Sequence, residues 1–193
     1  ILDPVFSALK LTSPTSVIAE ATAMNREIWY KQSKVSYTFP GTELTAGRSI
    51  NVTLYDGEGH LPSAETHGLP SSYKLPGSGS VLIGEKGSLV IPHVAAPKLF
   101  PEDKFGGMTI ELLQARDHYV SWADACRGAD HTTSHFDYAV PPTEAVLLGT
   151  VAIRLPSEQL SYSATEGKVT NNSKANSLLS KPYRKGYEPS WIV

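Results

Sequence analysis

Two stretches of the chain alternate apolar and polar residues, and that alternation limits the fold more than any other feature. Val35, Tyr37 and Phe39 alternate with Lys34, Ser36 and Thr38, and Ile50, Val52 and Leu54 alternate with Asn51, Thr53 and Tyr55. Side chains of a strand point to opposite faces in turn, so a period of two predicts strands with one buried face. Thr15 to Ala21 carries the β-branched bias of a further strand. Val81-Leu82-Ile83 and Leu89-Val90-Ile91 flank Gly84-Glu85-Lys86-Gly87, which predicts a hairpin. Between Asp56 and Gly79 the chain is rich in Gly, Pro and Ser and has no period. This reads as a long loop over one end of the sheet, of a length that is usually functional or disordered.

Helical patterns frame these strands. Asp3-Pro4 signals a helix start, an N-cap acceptor followed by proline where a missing N–H costs nothing. Val5, Phe6, Ala8 and Leu9 follow at helical spacing, and Pro14 ends the segment. Asp117 to Cys126 sets His118, Trp122 and Cys126 on one face, expected to point inward. Pro142 to Leu155 reads as the strongest helix, with proline in its first turn and apolar residues nearly all round, hence buried against the sheet. Leu160 and Tyr162 suggest a short strand, and KANSLLS a short helix before the polar-aromatic tail KPYRKGYEPSW. Strands early and helices late predict an α+β fold: one large, open, mostly antiparallel sheet with helices on one face. Such a sheet leaves its other face to be covered, and self-association through an apolar sheet face is expected. At 193 residues the chain reads as a single domain over 1–193, and no internal repeat is visible.

Composition removes several functions. A net charge of −2 argues against a nucleic-acid partner, and no apolar run approaches the ~20 residues that span a bilayer. The lone cysteine, Cys126, excludes an internal disulfide framework and leaves the compartment open. Asn51-Val52-Thr53 and Asn171-Asn172-Ser173 match the glycosylation sequon, a pattern common by chance. Gly79 and Gly84 have P-loop spacing, but Glu85 follows where lysine is needed; Gly77 and Gly79 begin a dinucleotide pattern that Leu82 breaks. His131 and His135, with Asp130, Asp137 and Cys126 nearby, have the residue types of a metal cluster, against which stands the reading of a polar loop before a helix. Cys126 has no activating neighbour that would make it a nucleophile. Lys181, Arg184 and Lys185 read as a solvated basic cluster. No complete catalytic constellation emerges from these residues.

Several segments, in order, resemble one family. ILDPVFSALKLTSPTSV resembles the segment just after the catalytic His of Gfo/Idh/MocA oxidoreductases. SINVTLYDGEG resembles their strand ending in Tyr-Asp-Gly, and GSVLIGEKGSLV their central hairpin. HYVSWADACRG and TTSHFDYAVPPTEAVLLGTVAIRL resemble their helix, loop and long helix, and KANSLLSKPYRKGYEPSW the tail of one bacterial branch. The resemblance covers essentially the whole chain and lies in the order and spacing of the pieces.

The resemblance implies the C-terminal α/β domain of such an enzyme, similar to the C-terminal domains of dihydrodipicolinate reductase and glucose-fructose oxidoreductase. Its partners are then its own N-terminal Rossmann domain, which binds NAD or NADP, a sugar or cyclitol substrate, and further copies of itself. Asp3 matches the last Asp of the family's Asp-x-x-x-His-x-x-Asp pattern, so the catalytic His is expected immediately before Ile1. Glu85-Lys86 is followed by Gly87 and does not match the catalytic Glu-Lys-Pro. The chain itself is expected to hold no cofactor and no metal, and to be inert alone. Hydride transfer needs a positioned cofactor and a base within reach of the hydroxyl. The expected substrate contacts are Tyr55, Asp56, His118 and His135; His135 departs from the Asn common at that place in the family. Two alternatives stay open: an NAD-dependent glycosidase of the same family, and a free-standing carbohydrate-binding or structural domain. A metal-dependent hydrolase built on His131, His135 and Asp137 is a third.

Overall fold

The computed structural model describes residues 1–25, 27–57, 59–109, 111 and 113–189. Ser190 and Trp191 of the polar-aromatic tail, and Glu58 of the segment after Tyr-Asp-Gly, lie outside the described residues. The fold is α+β with antiparallel sheets, and its strands divide between two sheets rather than joining one. The chain forms two compact units, one of residues 1–12, 41–48 and 61–144, the other of 13–40, 49–60 and 145–193.

The second unit contains the strands that the alternation predicted. β1 (Ser16–Ala21), β2 (Ser33–Pro40), β3 (Ser49–Asp56), β7 (Leu160–Ser163) and β8 (Lys168–Val169) form a five-stranded sheet in the order β3-β2-β1-β7-β8. Along β2 burial alternates as the sequence does: Val35, Tyr37 and Phe39 are buried, and Lys34, Ser36 and Thr38 are less so. Antiparallel register sets Val35 against Ala19 and Leu54, so these residues share a face. The helix α4 (Phe136–Ile153) packs on that face with its second half, where Ala145, Leu148, Gly149 and Ala152 are buried. Gly149 is required by close approach: a Cβ there would run into the Tyr37 hydroxyl.

The opposite face is hydroxyl-rich, not apolar as the self-association argument expected. Register places Ile18 and Glu20, then Lys34, Ser36 and Thr38, then Asn51, Thr53 and Tyr55 on it. Ser36 and Thr53 share a hydrogen bond of 3.3 Å, Thr38 donates to Asn51 at 3.2 Å, and Lys34 pairs with Glu20 at 3.2 Å. The period-two pattern supplies one apolar face, and α4 takes it.

The first unit has its own small core. β4 (Gly79–Gly84), β5 (Gly87–Pro92) and β6 (Lys98–Phe100) form a three-stranded antiparallel sheet, with Glu85-Lys86 as the hairpin loop. The segment read as one long loop is partly ordered as a 3₁₀ turn, Ala64–His67. Ala64 and Leu69 are buried with Val90 and Phe100, and Tyr73, Leu75 and Val81 pack around them. This cluster gives the hairpin its own apolar partner, which is why it does not extend the larger sheet. Beyond β6 lies α2 (Glu102–Phe105), too short to show in the periodicity.

Three helix expectations need correction. α1 (Leu2–Leu9) begins before Asp3, which is not its N-cap; Pro4 fits because first-turn N–H groups have no intrahelical acceptor. α3 (His118–Cys126) has no buried residue: Trp122 is 65% exposed and Cys126 is exposed, so neither points inward. That helix is held locally instead, by Asp117 accepting from the amides of Tyr119 and Val120 at 2.9 Å, and by the Arg127–Asp124 pair. α4 starts six residues earlier than Pro142, carries Pro141 and Pro142 inside it, and exposes Val146 and Leu147. Tyr138 and Ala139 both donate to the His135 carbonyl, and these bonds start the helix upstream of the prolines. α5 (Ser173–Leu179) follows the KANSLLS reading, with Asn172 as its cap. Among the described residues no helix is long and apolar enough to cross a membrane.

Gly149→Ala is expected to lower stability by about 1–3 kcal/mol, the usual cost of overpacking. Denaturant midpoints will show whether Tyr37→Phe, which removes the atom in the way, recovers part of that loss. The exposed Cys126 should react with a small thiol reagent in the native chain at nearly the rate seen in denaturant; protection would place it inward.

Candidate functional site

Tyr55 and Asp56 close β3, where the strand meets the irregular residues 22–25, 27–32, 57, 59 and 60 of the same unit. The turn out of the strand depends on Gly57, which has φ +97° and sits so close to the Lys31 carbonyl that a Cβ would collide with it. The carboxylate of Asp56 is oriented by one bond: the Tyr30 hydroxyl donates to Oδ2 at 2.7 Å. Asp56 is exposed, and no described residue takes its other oxygen. Burial first, and then this bond to Asp56, raises the pKa of Tyr30 above the ordinary phenol value. Tyr30 therefore stays a donor throughout the neutral range.

His60 completes this end of the sheet. Its Nε2 lies 2.9 Å from the Ser33 carbonyl, an acceptor only, so Nε2 carries the proton. Nδ1 is then a bare acceptor, and it is buried with no partner among the described residues. The His60 ring tilts against Tyr55 with centroids 5.8 Å apart.

Residues 22–25 and 27–32 are braced by side-chain-to-backbone bonds. Thr22 Oγ1 accepts from the amides of Lys31 at 2.8 Å and Gln32 at 3.1 Å. Asn25 Oδ1 accepts from the amides of Glu27 and Ile28, both at 2.8 Å. This bracing presents Trp29, 42% exposed, beside Tyr30 with ring centroids 5.2 Å apart. The Arg154 guanidinium lies 5.2 Å above the Trp29 ring. Chemically, the region offers a carboxylate that accepts from paired hydroxyls, aromatic faces that stack on a sugar ring, and a cation.

Of the expected contacts, Tyr55 and Asp56 lie in one unit as successive residues of β3, so alternation sends their side chains to opposite faces of the strand. His118 and His135 belong to the other unit. His118 opens α3 and lies against Tyr119, with ring centroids 4.0 Å apart. His135 precedes α4 and has Asp137 4.0 Å away. Asp3, in the first turn of α1, accepts from the Tyr138 hydroxyl at 2.6 Å on its carboxylate, and its carbonyl lies 3.1 Å from the same hydroxyl. Burial, and then the bond to Asp3, pushes the Tyr138 phenol up to about 12. Asp130 is taken by Arg116 and by the His131 amide. Among the described residues no three His, Cys, Asp or Glu side chains converge as a metal site would require.

Sequence reasoning missed Tyr30, His60, Trp29 and Arg154. Ile28-Trp29-Tyr30 is an apolar-aromatic trio in a polar stretch, a signal of its own, but nothing local tied it to Asp56 or to the end of α4. No protein-family model matches the chain, and no curated protein matches it at a significant level.

Alkaline titration followed by tyrosinate absorbance should find Tyr138 ionising near 12. Because folding raises this pKa, its contribution to stability is complete below about pH 10 and is lost as pH rises toward 12. Asp3→Ala should bring the ionisation part of the way back, and an unmoved value would show that the bond contributes nothing.

Proposed function

We propose that this chain is the substrate-binding and oligomerisation domain of an NAD(P)-dependent oxidoreductase of the Gfo/Idh/MocA kind, acting on a hydroxyl of a sugar or cyclitol. The observation that carries the reading is the exposed Asp56 carboxylate, oriented by Tyr30 at the end of β3. A carboxylate so placed accepts hydrogen bonds from two neighbouring hydroxyls, and an aromatic ring covers the apolar face of the sugar. The order of resembling segments along the chain supports the family.

The glycine near-motif does not fit a dinucleotide. The glycines of the near-motif lie at a hairpin, not between a strand and a helix, and a Cβ on Gly79 would meet the Ile91 carbonyl at 2.5 Å. That contact leaves no cradle for a pyrophosphate. The nicotinamide and the catalytic Lys and His belong, in this proposal, to a separate Rossmann domain. The residues here bind and orient the substrate. Oligomer contact through the large sheet would join hydroxyl-rich faces with the Lys34–Glu20 pair on them, a wet contact rather than an apolar one.

Joined to the Rossmann domain of its gene, the chain should support reduction of NAD or NADP by a panel of sugars and cyclitols, read by nicotinamide fluorescence. Asp56→Asn should raise KM about tenfold, the loss of a charge-assisted hydrogen bond, with little change in kcat. Sugar binding without any reduction would favour a carbohydrate-binding domain, and hydrolysis of glycosides dependent on bound NAD would favour the glycosidase.

A further inference from the structure

Trp29 and Arg154 extend the region around Asp56 in a direction that a neutral sugar does not need. Four side chains of one unit touch in series: Asp56 on the Tyr30 hydroxyl, Tyr30 against Trp29, and Trp29 beneath Arg154. The series places a carboxylate at one end and a guanidinium at the other, with two aromatic rings between. Tyr30 and Trp29 are held by a segment braced at Thr22 and Asn25, so the series is largely formed before any ligand arrives.

The state of Arg154 indicates what the cationic end is for. It is exposed one residue past the end of α4, and no carboxylate pairs with it among the described residues. Among the described residues Arg116 and Arg127 are paired, with Asp130 and Asp124, whereas Arg154, like Arg48 and Arg184, has no carboxylate partner. Its guanidinium lies 5.2 Å over the Trp29 ring, and a guanidinium without a carboxylate partner can take one bidentately through its N–H fork. Asp56 is already oriented to accept hydroxyls, and an acceptor-only group cannot hold an anion. The two ends therefore select a ligand with hydroxyls on one side and a negative charge on the other.

Resting on the reading of this region as a sugar site, we infer that the series Asp56–Tyr30–Trp29–Arg154 binds a carboxylated sugar, a uronate or aldonate, in preference to a neutral one. Asp56 receives the hydroxyls, the Trp29 and Tyr30 rings cover the ring or chain of the ligand, and Arg154 receives the carboxylate.

Titration of the purified chain with D-glucuronate and D-glucose, followed by saturation-transfer NMR, tests this. Glucuronate should bind about tenfold tighter than glucose at neutral pH, with the gap shrinking as salt is added. Arg154→Met should reduce that gap to less than about twofold, Arg154→Lys should restore part of it, and Trp29→Ala should weaken both sugars. Thermal melts of each variant monitor folding. Equal binding of the two sugars overturns the acid preference while leaving the sugar site standing. A gap that survives Arg154→Met overturns it as well, as does a fall in melting temperature with no change in selectivity, which would make Arg154 a staple of α4. Binding of neither sugar overturns the sugar reading and this inference together.

Discussion

The large sheet depends on one close approach. Tyr37, near the middle of β2, raises its ring toward α4, and the helix can lie against it because residue 149 has no side chain. Gly149 also approaches Val35, and Ala145 and Ala152 of the same helix are buried, as are Val17, Ala19, Val35 and Phe39 of the sheet. Close packing of this kind transmits small volume changes, so the position of the helix is fixed rather than sliding. The end of α4 is thereby fixed as well, and Arg154, one residue beyond it, comes to rest over Trp29.

The candidate site is held by backbone carbonyls and short polar side chains. Gly57 lets the chain leave β3 tightly against Lys31, Thr22 and Asn25 tie down the segment carrying Trp29 and Tyr30, and the Ser33 carbonyl sets the tautomer of His60. A rigid strand end with a braced loop beside it places functional groups more precisely than a free loop does. The exposed side chains, Asp56 and Arg154, are then oriented by single contacts to aromatic neighbours.

Several sequence readings failed for one shared reason. Helical spacing in Asp117–Cys126 was correct, yet spacing alone does not say that a partner surface exists, and α3 buries nothing. The apolar look of Pro142–Leu155 suggested burial all round, but only one side of α4 meets the sheet, and Val146 and Leu147 remain outside. The apolar sheet face expected to drive self-association is the face α4 covers; its reverse carries Ser36, Thr38 and Thr53. Asp3 looked like a cap because Asp-Pro so often starts helices, whereas its carboxylate is held by Tyr138, distant in sequence.

What the sequence determined by itself was local. The period of two in Lys34–Phe39 and Ile50–Tyr55, and the Gly-Glu-Lys-Gly loop, fixed strands, hairpin and the α+β class, because side-chain alternation and turn chemistry act over a few residues. Tyr55 and Asp56 were legible as site candidates for the same reason: a strand end ahead of a glycine turn. Only the tertiary structure decided that the strands make two sheets, that His118 and His135 belong to a different unit from Asp56, and that Tyr30, Trp29 and Arg154 join it. Those outcomes rest on which apolar face finds which partner and on contacts across more than a hundred residues, such as that of Trp29 with Arg154, and no local pattern encodes them.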